Sequence, residues 1–120
     1  MRKILVVDDE PEIVALIKKR LETSGYAVIT ASDGAECMKK VHEDRPDLIL
    51  LDIVMPNQDG LSTFYQLKND DSTRPIPIIM LTARGETQSI YEAQKFGVIE
   101  YFIKPCNWGD LLKCIKKYLE

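Results

Sequence analysis

The sequence has 120 residues, of which 45% are hydrophobic and 29% charged, and its formal net charge at pH 7 is −3. These values are typical of a single globular domain, and we expect one to span residues 1–120. The negative charge argues against direct nucleic-acid binding, which normally needs a basic face. No signal peptide opens the chain and no apolar run is long enough for a membrane span, so we expect a cytoplasmic protein without membrane contact.

Apolar residues follow two alternating periodicities along the chain. The continuous apolar run at residues 4–7 predicts a strand that is covered on both faces, and further strands are predicted at residues 26–31, 48–51, 76–81 and 98–103. Stripes at spacings of three and four predict amphipathic helices within residues 13–21, 35–41, 61–67, 86–96 and 111–119. Pro11 suits the start of the first helix, and Ser24-Gly25 should end it. This alternation predicts an α/β fold, a parallel sheet with helices on both faces.

Polar side chains follow four of the predicted strands. Asp8 and Asp9 come after the first strand, Asp52 after the third, Thr82 closes the fourth, and Lys104 follows the fifth. Ligands of such sheets bind beyond the carboxyl ends of the strands. If the first and third strands are neighbours, three carboxylates meet at one edge and face one hydroxyl and one ammonium group.

The chemistry of these side chains indicates a phosphoryl site. Three adjacent carboxylates need more counter-charge than Lys104 supplies, and oxygen ligands favour a hard divalent cation such as Mg²⁺. A carboxylate can also attack a phosphoryl group. We therefore expect Asp52 to be the nucleophile, Lys104 and the metal to neutralise the phosphoryl oxygens, and Thr82 to donate a hydrogen bond to them.

Four stretches resemble the receiver domain of two-component response regulators. They are VVDDE at 6–10, LLDIVMPNQDG at 50–60, LTA at 81–83 and YFIKP at 101–105. The resemblance extends over essentially the whole chain and implies a flavodoxin-like (βα)₅ fold with strand order 2-1-3-4-5. It also implies a phosphorylation-dependent signalling switch, with a histidine kinase or a histidine phosphotransfer protein as the donor. Such a domain is not a conventional enzyme, although it catalyses its own phosphorylation and dephosphorylation.

The resemblance assigns roles to individual residues of the site. It implies that Asp52 is the phosphoacceptor and that Asp9, Asp52 and the backbone carbonyl of Val54 ligate Mg²⁺ directly. Asp8 would act mainly through a metal-bound water, and Mn²⁺ is expected to substitute for Mg²⁺. Lys104 would contact the phosphoryl group.

The resemblance also implies how the signal leaves the site. Thr82 and Tyr101 would form a switch pair, in which the threonine moves toward the phosphoryl group and the aromatic ring turns inward. The moving surface, which we call the switch face, consists of the predicted helix at 86–96, the strand at 98–103 and the final helix. We expect it to control a downstream partner or a linked effector domain, and it could also form a homodimer.

Three other functions fit the sequence less well. A flavodoxin-like domain that binds a flavin or another phosphate ligand needs a loop rich in glycine, serine or threonine after the first strand, and here that loop is acidic. A hydrolase of the haloacid-dehalogenase type should show DxDx[TV] there, which DDEPE does not match. A pure interaction module would leave the acidic residues unexplained.

Few other side chains suggest chemistry. The cysteines Cys37, Cys106 and Cys114 form no CxxC pair, so we interpret them as reduced thiols, and His42 as a surface or helix-end residue. Val54 and Arg84 are bulky, and we expect them to obstruct the hydrolytic water and to lengthen the lifetime of the phosphoryl group.

Overall fold

Five strands and four helices are seen in the computed structural model, which describes residues 1–53, 60–82, 91, 94–95, 100–104 and 106–120. In chain order they are β1 (Lys3–Val7), α1 (Pro11–Thr23), β2 (Ala27–Ala31), α2 (Gly34–Glu43), β3 (Leu48–Asp52), α3 (Gly60–Asn69), β4 (Ile78–Thr82), β5 (Glu100–Ile103) and α4 (Trp108–Leu119). The helix predicted at 86–96 lies almost entirely outside the described residues, so α4 is the C-terminal helix.

All strand pairs are parallel, and the sheet has the order β2-β1-β3-β4-β5. This confirms the strand order that the resemblance implies. The register sets Asp52 opposite Leu81 and Thr82 opposite Ile103. The carboxyl ends of the central strands therefore meet at one edge of the sheet.

The central strands β1, β3 and β4 are covered on both faces, which explains their continuous apolar runs. Every residue of β3 and β4 is buried. One core cluster joins alternate strand residues such as Leu5 and Ile49 to α2 and α3, and the other joins residues such as Ile4 and Leu50 to α1 and α4. Because a strand alternates its side chains between faces, both sets must be apolar here.

The helix ends follow ordinary capping rules. Pro11 is the first residue of α1, and Gly25 follows its end with a φ of +96°, a left-handed conformation that glycine adopts readily. The side chains of Asp33 and Asn107 accept backbone hydrogen bonds at the starts of α2 and α4. Within the described parts of the chain, no helix has the length and apolar character that a membrane span requires.

Two predicted strand starts are wrong. β4 begins at Ile78 rather than at residue 76, because prolines at 75 and 77 cannot donate ladder hydrogen bonds. β2 begins at Ala27 rather than at Tyr26, whose N–H donates to the carbonyl of Leu21 (3.1 Å) and so belongs to the preceding turn. The predicted start of the fifth strand, at residue 98, lies outside the described residues.

Candidate functional site

Two buried carboxylates and one lysine meet at the carboxyl edge of the sheet. Asp8 directly follows β1 and is 1% exposed, and Asp52 ends β3 and is 2% exposed. The Nζ of Lys104 donates hydrogen bonds to Oδ2 of Asp8 and to Oδ2 of Asp52, both over 3.0 Å. One ammonium group thus holds together two carboxylates that are far apart in the chain.

The orientation of Asp8 is fixed from several directions. Its N–H donates to the carbonyl of Ala31 (3.1 Å), which continues the pairing of β1 with β2. Its Oδ1 accepts the backbone N–H of Glu10 (3.0 Å), while Oδ2 accepts from Lys104. Both oxygens of this buried carboxylate therefore have partners, which offsets the cost of removing the charge from water.

Lys104 reaches the site because it continues β5 beyond its last residue. Its N–H donates to the carbonyl of Thr82 (2.7 Å). Burial alone would lower the pKa of Lys104, but its hydrogen bonds to Asp8 and Asp52 and their charges outweigh burial, and the net pKa is raised above its usual value. The side chain is therefore a permanent cation at neutral pH.

The two residues of the expected switch pair occupy different surroundings. Thr82 ends β4 and is 2% exposed, next in sequence to the residue that pairs with Asp52. Tyr101 lies on β5 opposite Met80 and is 39% exposed. A buried hydroxyl thus lies at the edge of the site, and the aromatic side chain lies at the surface of an outer strand.

An acidic cluster adjoins the bridged carboxylates. One carboxylate oxygen from each of Asp8, Asp9 and Glu10 lies within 4.8 Å of the others. Asp8 is buried, Asp9 is half-buried and Glu10 is exposed, so the cluster extends from the sheet edge to solvent. An all-oxygen donor set of this kind fits a hard divalent cation. Val54 and Arg84 lie outside the described residues.

The structure adds Gly60 to the residues that shape the site. A Cβ on Gly60 would lie 2.1 Å from the backbone oxygen of Asp52 and 2.4 Å from Cα of Ile53. Its N–H donates to the carbonyl of Ile53 (3.2 Å). The start of α3 therefore packs directly on the backbone that carries Asp52. The one signal for this contact in the sequence is the position of Gly60, which ends the stretch at 50–60 and directly precedes the helix predicted at 61–67.

The other candidate nucleophiles are not activated. Burial raises the pKa of Cys37 to about 12 and that of Cys114 to about 11, and it also raises the pKa of Cys106, so these thiols stay protonated at neutral pH. His42 lies exposed in the last turn of α2, with Nε2 3.1 Å from Asp70. This is the helix-end position that the sequence predicts.

The strand order and the location of the site define a flavodoxin-like α/β protein. The chain belongs to the response regulator receiver domain family, whose model matches residues 4–116. It is 46% identical over 118 residues to the alkaline phosphatase synthesis transcriptional regulatory protein PhoP of Bacillus subtilis, a match that covers 98% of this chain and 48% of that protein. It is 35% identical to sporulation initiation phosphotransferase F of the same organism, covering 98% of this chain and 93% of that protein.

A solved structure agrees with this assignment. The response regulator TrrA of Thermotoga maritima, determined in complex with Mg²⁺-BeF, superposes with a TM-score of 0.86 at 36% identity and covers 98% of this chain and 99% of that chain. The chain spans about half the length of PhoP and of the other transcriptional regulators that it matches.

Proposed function

We propose that residues 1–120 form a single receiver domain in which Asp52 accepts a phosphoryl group from a histidine kinase or a histidine phosphotransfer protein. The observation that carries this proposal is the buried Asp52 carboxylate, held 3.0 Å from the Lys104 ammonium at the carboxyl edge of the sheet. The adjoining acidic cluster and membership of the receiver family support the same chemistry.

The transfer step uses Asp52 as the nucleophile. A carboxylate oxygen of Asp52 attacks the phosphorus of a phosphohistidine, an acyl phosphate forms, and the P–N bond breaks with its electron pair staying on the imidazole, which takes a proton from solvent. Lys104 stabilises the negative charge on the transferred oxygens, since it is already charged and already directed at Asp52. The hydroxyl of Thr82 donates a hydrogen bond to one of those oxygens.

The acidic residues would hold a divalent cation. Asp9, Asp52 and the carbonyl of Val54 are the proposed direct ligands. Both oxygens of Asp8 already accept hydrogen bonds, which favours contact through a water molecule instead. Mg²⁺ supplies charge neutralisation when bound, and Mn²⁺ has the same preference for oxygen ligands.

The signal would leave through the switch face. Phosphorylation replaces the −1 charge of the Asp52 carboxylate by an acyl phosphate that carries about −1.5 to −2. Movement of Thr82 toward these charges would open space for the ring of Tyr101, which is partly exposed in the described structure. The altered switch face would then control a partner or a linked effector domain, or form a homodimer. The match to transcriptional regulators about twice as long supports the effector domain.

Phosphorylation by acetyl phosphate tests the proposal. The protein is incubated with acetyl phosphate and Mg²⁺, or with EDTA, and its intact mass is measured. The wild type should gain one phosphoryl group only with Mg²⁺, and Asp52→Asn should gain none. Asp71→Asn is the matched control, because this carboxylate is 92% exposed and outside the site, and it should react like the wild type. A modified Asp52→Asn variant, or an unmodified wild type, would contradict the proposal.

A further inference from the structure

Glu10 is the third acid of the cluster, and its side chain makes no hydrogen bond to the helix that it precedes. It occupies the N-cap position of α1, yet its side chain makes no capping hydrogen bond. Residues with short polar side chains are preferred at that position. Across the described ranges, the Glu10 carboxylate has neither a hydrogen-bond donor nor an ion-pair partner. A negative charge near a helix N-terminus is favourable, but Glu12 in the first turn already supplies one, so the helix alone does not explain a further charge beside two other acids.

The backbone of Glu10 is nevertheless firmly placed at the site. Its N–H donates to Oδ1 of Asp8 (3.0 Å), and its carbonyl accepts the N–H of Val14 (3.0 Å). Pro11 follows and restricts the chain further. From this fixed point, the exposed carboxylate lies within 4.8 Å of oxygens from Asp8 and Asp9.

The charges of the site call for a cation at this position. Asp8, Asp9 and Glu10 are three acids, and in the described parts of the chain Lys104 is the one cation that bonds to any of these three, through Asp8, while it is shared with Asp52. Such a surplus is unfavourable unless a further positive charge binds. The related receiver of TrrA was determined with Mg²⁺ in its complex, which points to a divalent cation as the missing charge.

We propose that Glu10 is a positioning residue for the divalent cation. Mg²⁺ retains several of its water molecules in proteins, and an exposed carboxylate beside the direct ligands is placed to accept hydrogen bonds from them. Glu10 thereby tightens cation binding without replacing Asp9 or Asp52 as a ligand. This inference rests on the proposed function, because it concerns the same cation.

Calorimetric titration of the whole chain with Mg²⁺ tests the inference. Removing one negative charge from the acidic cluster should weaken binding roughly three- to tenfold in Glu10→Gln at low salt. Glu12→Gln is the matched control. It removes the same charge from an exposed residue in the first turn of α1, but outside the cluster, and should change affinity less than about twofold.

The outcomes separate this inference from the proposed function. Unchanged affinity in Glu10→Gln, or an equal loss in Glu12→Gln, would overturn the role of Glu10 even if the wild type is phosphorylated on Asp52. A wild type that neither binds Mg²⁺ nor accepts a phosphoryl group would overturn both. Selective weakening in Glu10→Gln, with Glu12→Gln unaffected, would support the inference.

Discussion

Replacing Gly60 by alanine should weaken the fold at the backbone that carries Asp52. The new Cβ would lie 2.1 Å from the backbone oxygen of Asp52, whereas ordinary contacts are 3.4–4 Å, and the nearest atoms all belong to the backbone. The two segments must therefore separate, which weakens the hydrogen bond from Gly60 to Ile53. Overpacking costs about 1–3 kcal/mol and a lost hydrogen bond about 1 kcal/mol, while the better helix propensity of alanine returns up to about 1 kcal/mol. We expect a net loss of about 1–3 kcal/mol.

Urea unfolding measures this loss as a lower midpoint with an unchanged slope. Gly109→Ala is the matched control, because its Cβ would meet only the side-chain oxygen of Asn107, at 3.1 Å. Because that oxygen caps α4, its displacement offsets the better helix propensity of alanine, and this control should stay within about 1 kcal/mol of the wild type. We also expect Gly60→Ala to be phosphorylated more slowly, since the backbone of Asp52 must shift. A wild-type midpoint for Gly60→Ala would refute the reasoning.

Three further changes have defined outcomes. Lys104→Met removes the ammonium group that bonds to the buried carboxylates of Asp8 and Asp52. The free energy of unfolding, measured with urea at pH 7, should fall by about 2–4 kcal/mol, and Mg²⁺ should restore part of it. An unchanged unfolding midpoint would contradict this. A backbone hydrogen bond and the Asp70 carboxylate raise the pKa of His42, so the protonated imidazole stabilises the folded protein. His42→Gln should therefore lower the free energy of unfolding most below about pH 6.5, and this difference should disappear as the pH rises through the raised pKa. A difference that is the same at every pH would be inconsistent with this. Burial and the hydrogen bond to Glu120 raise the pKa of Tyr26 to about 12, so the phenolate absorbance of Tyr26 should titrate there. Tyr26→Phe should lower the free energy of unfolding by about 1 kcal/mol. A titration midpoint near 10 for Tyr26 would argue against the contact with Glu120.

The sequence predicts the fold well because the central strands β1, β3 and β4 are buried on both faces. Runs such as residues 48–51 are continuously apolar only if both sets of alternating side chains enter a core. The starts of β2 and β4 are harder to predict, because apolar character extends into residues whose hydrogen bonds belong to turns. Tyr26 is buried like its strand neighbours, yet its N–H closes the turn after α1.

The strand-end rule predicts the location of the site but not its contacts. Asp8, Asp52 and Lys104 all follow strands, so parallel pairing places them at one edge. The ammonium group of Lys104 bonds to the carboxylates of both Asp8 and Asp52 only because of the strand register and the side-chain conformations. The periodicity of the sequence specifies neither of these. The close approach of Gly60 to Asp52 likewise depends on how α3 packs on β3.

Identification of the phosphorylated residue tests the central claim most directly. The protein would be phosphorylated with acetyl phosphate and Mg²⁺ and treated with borohydride, which reduces an aspartyl phosphate to homoserine, and its peptides would be sequenced by mass spectrometry. The account predicts homoserine at position 52 and unmodified aspartate at Asp8 and Asp9. Homoserine at either of those positions instead, or a phosphoryl group that borohydride does not remove, would contradict it.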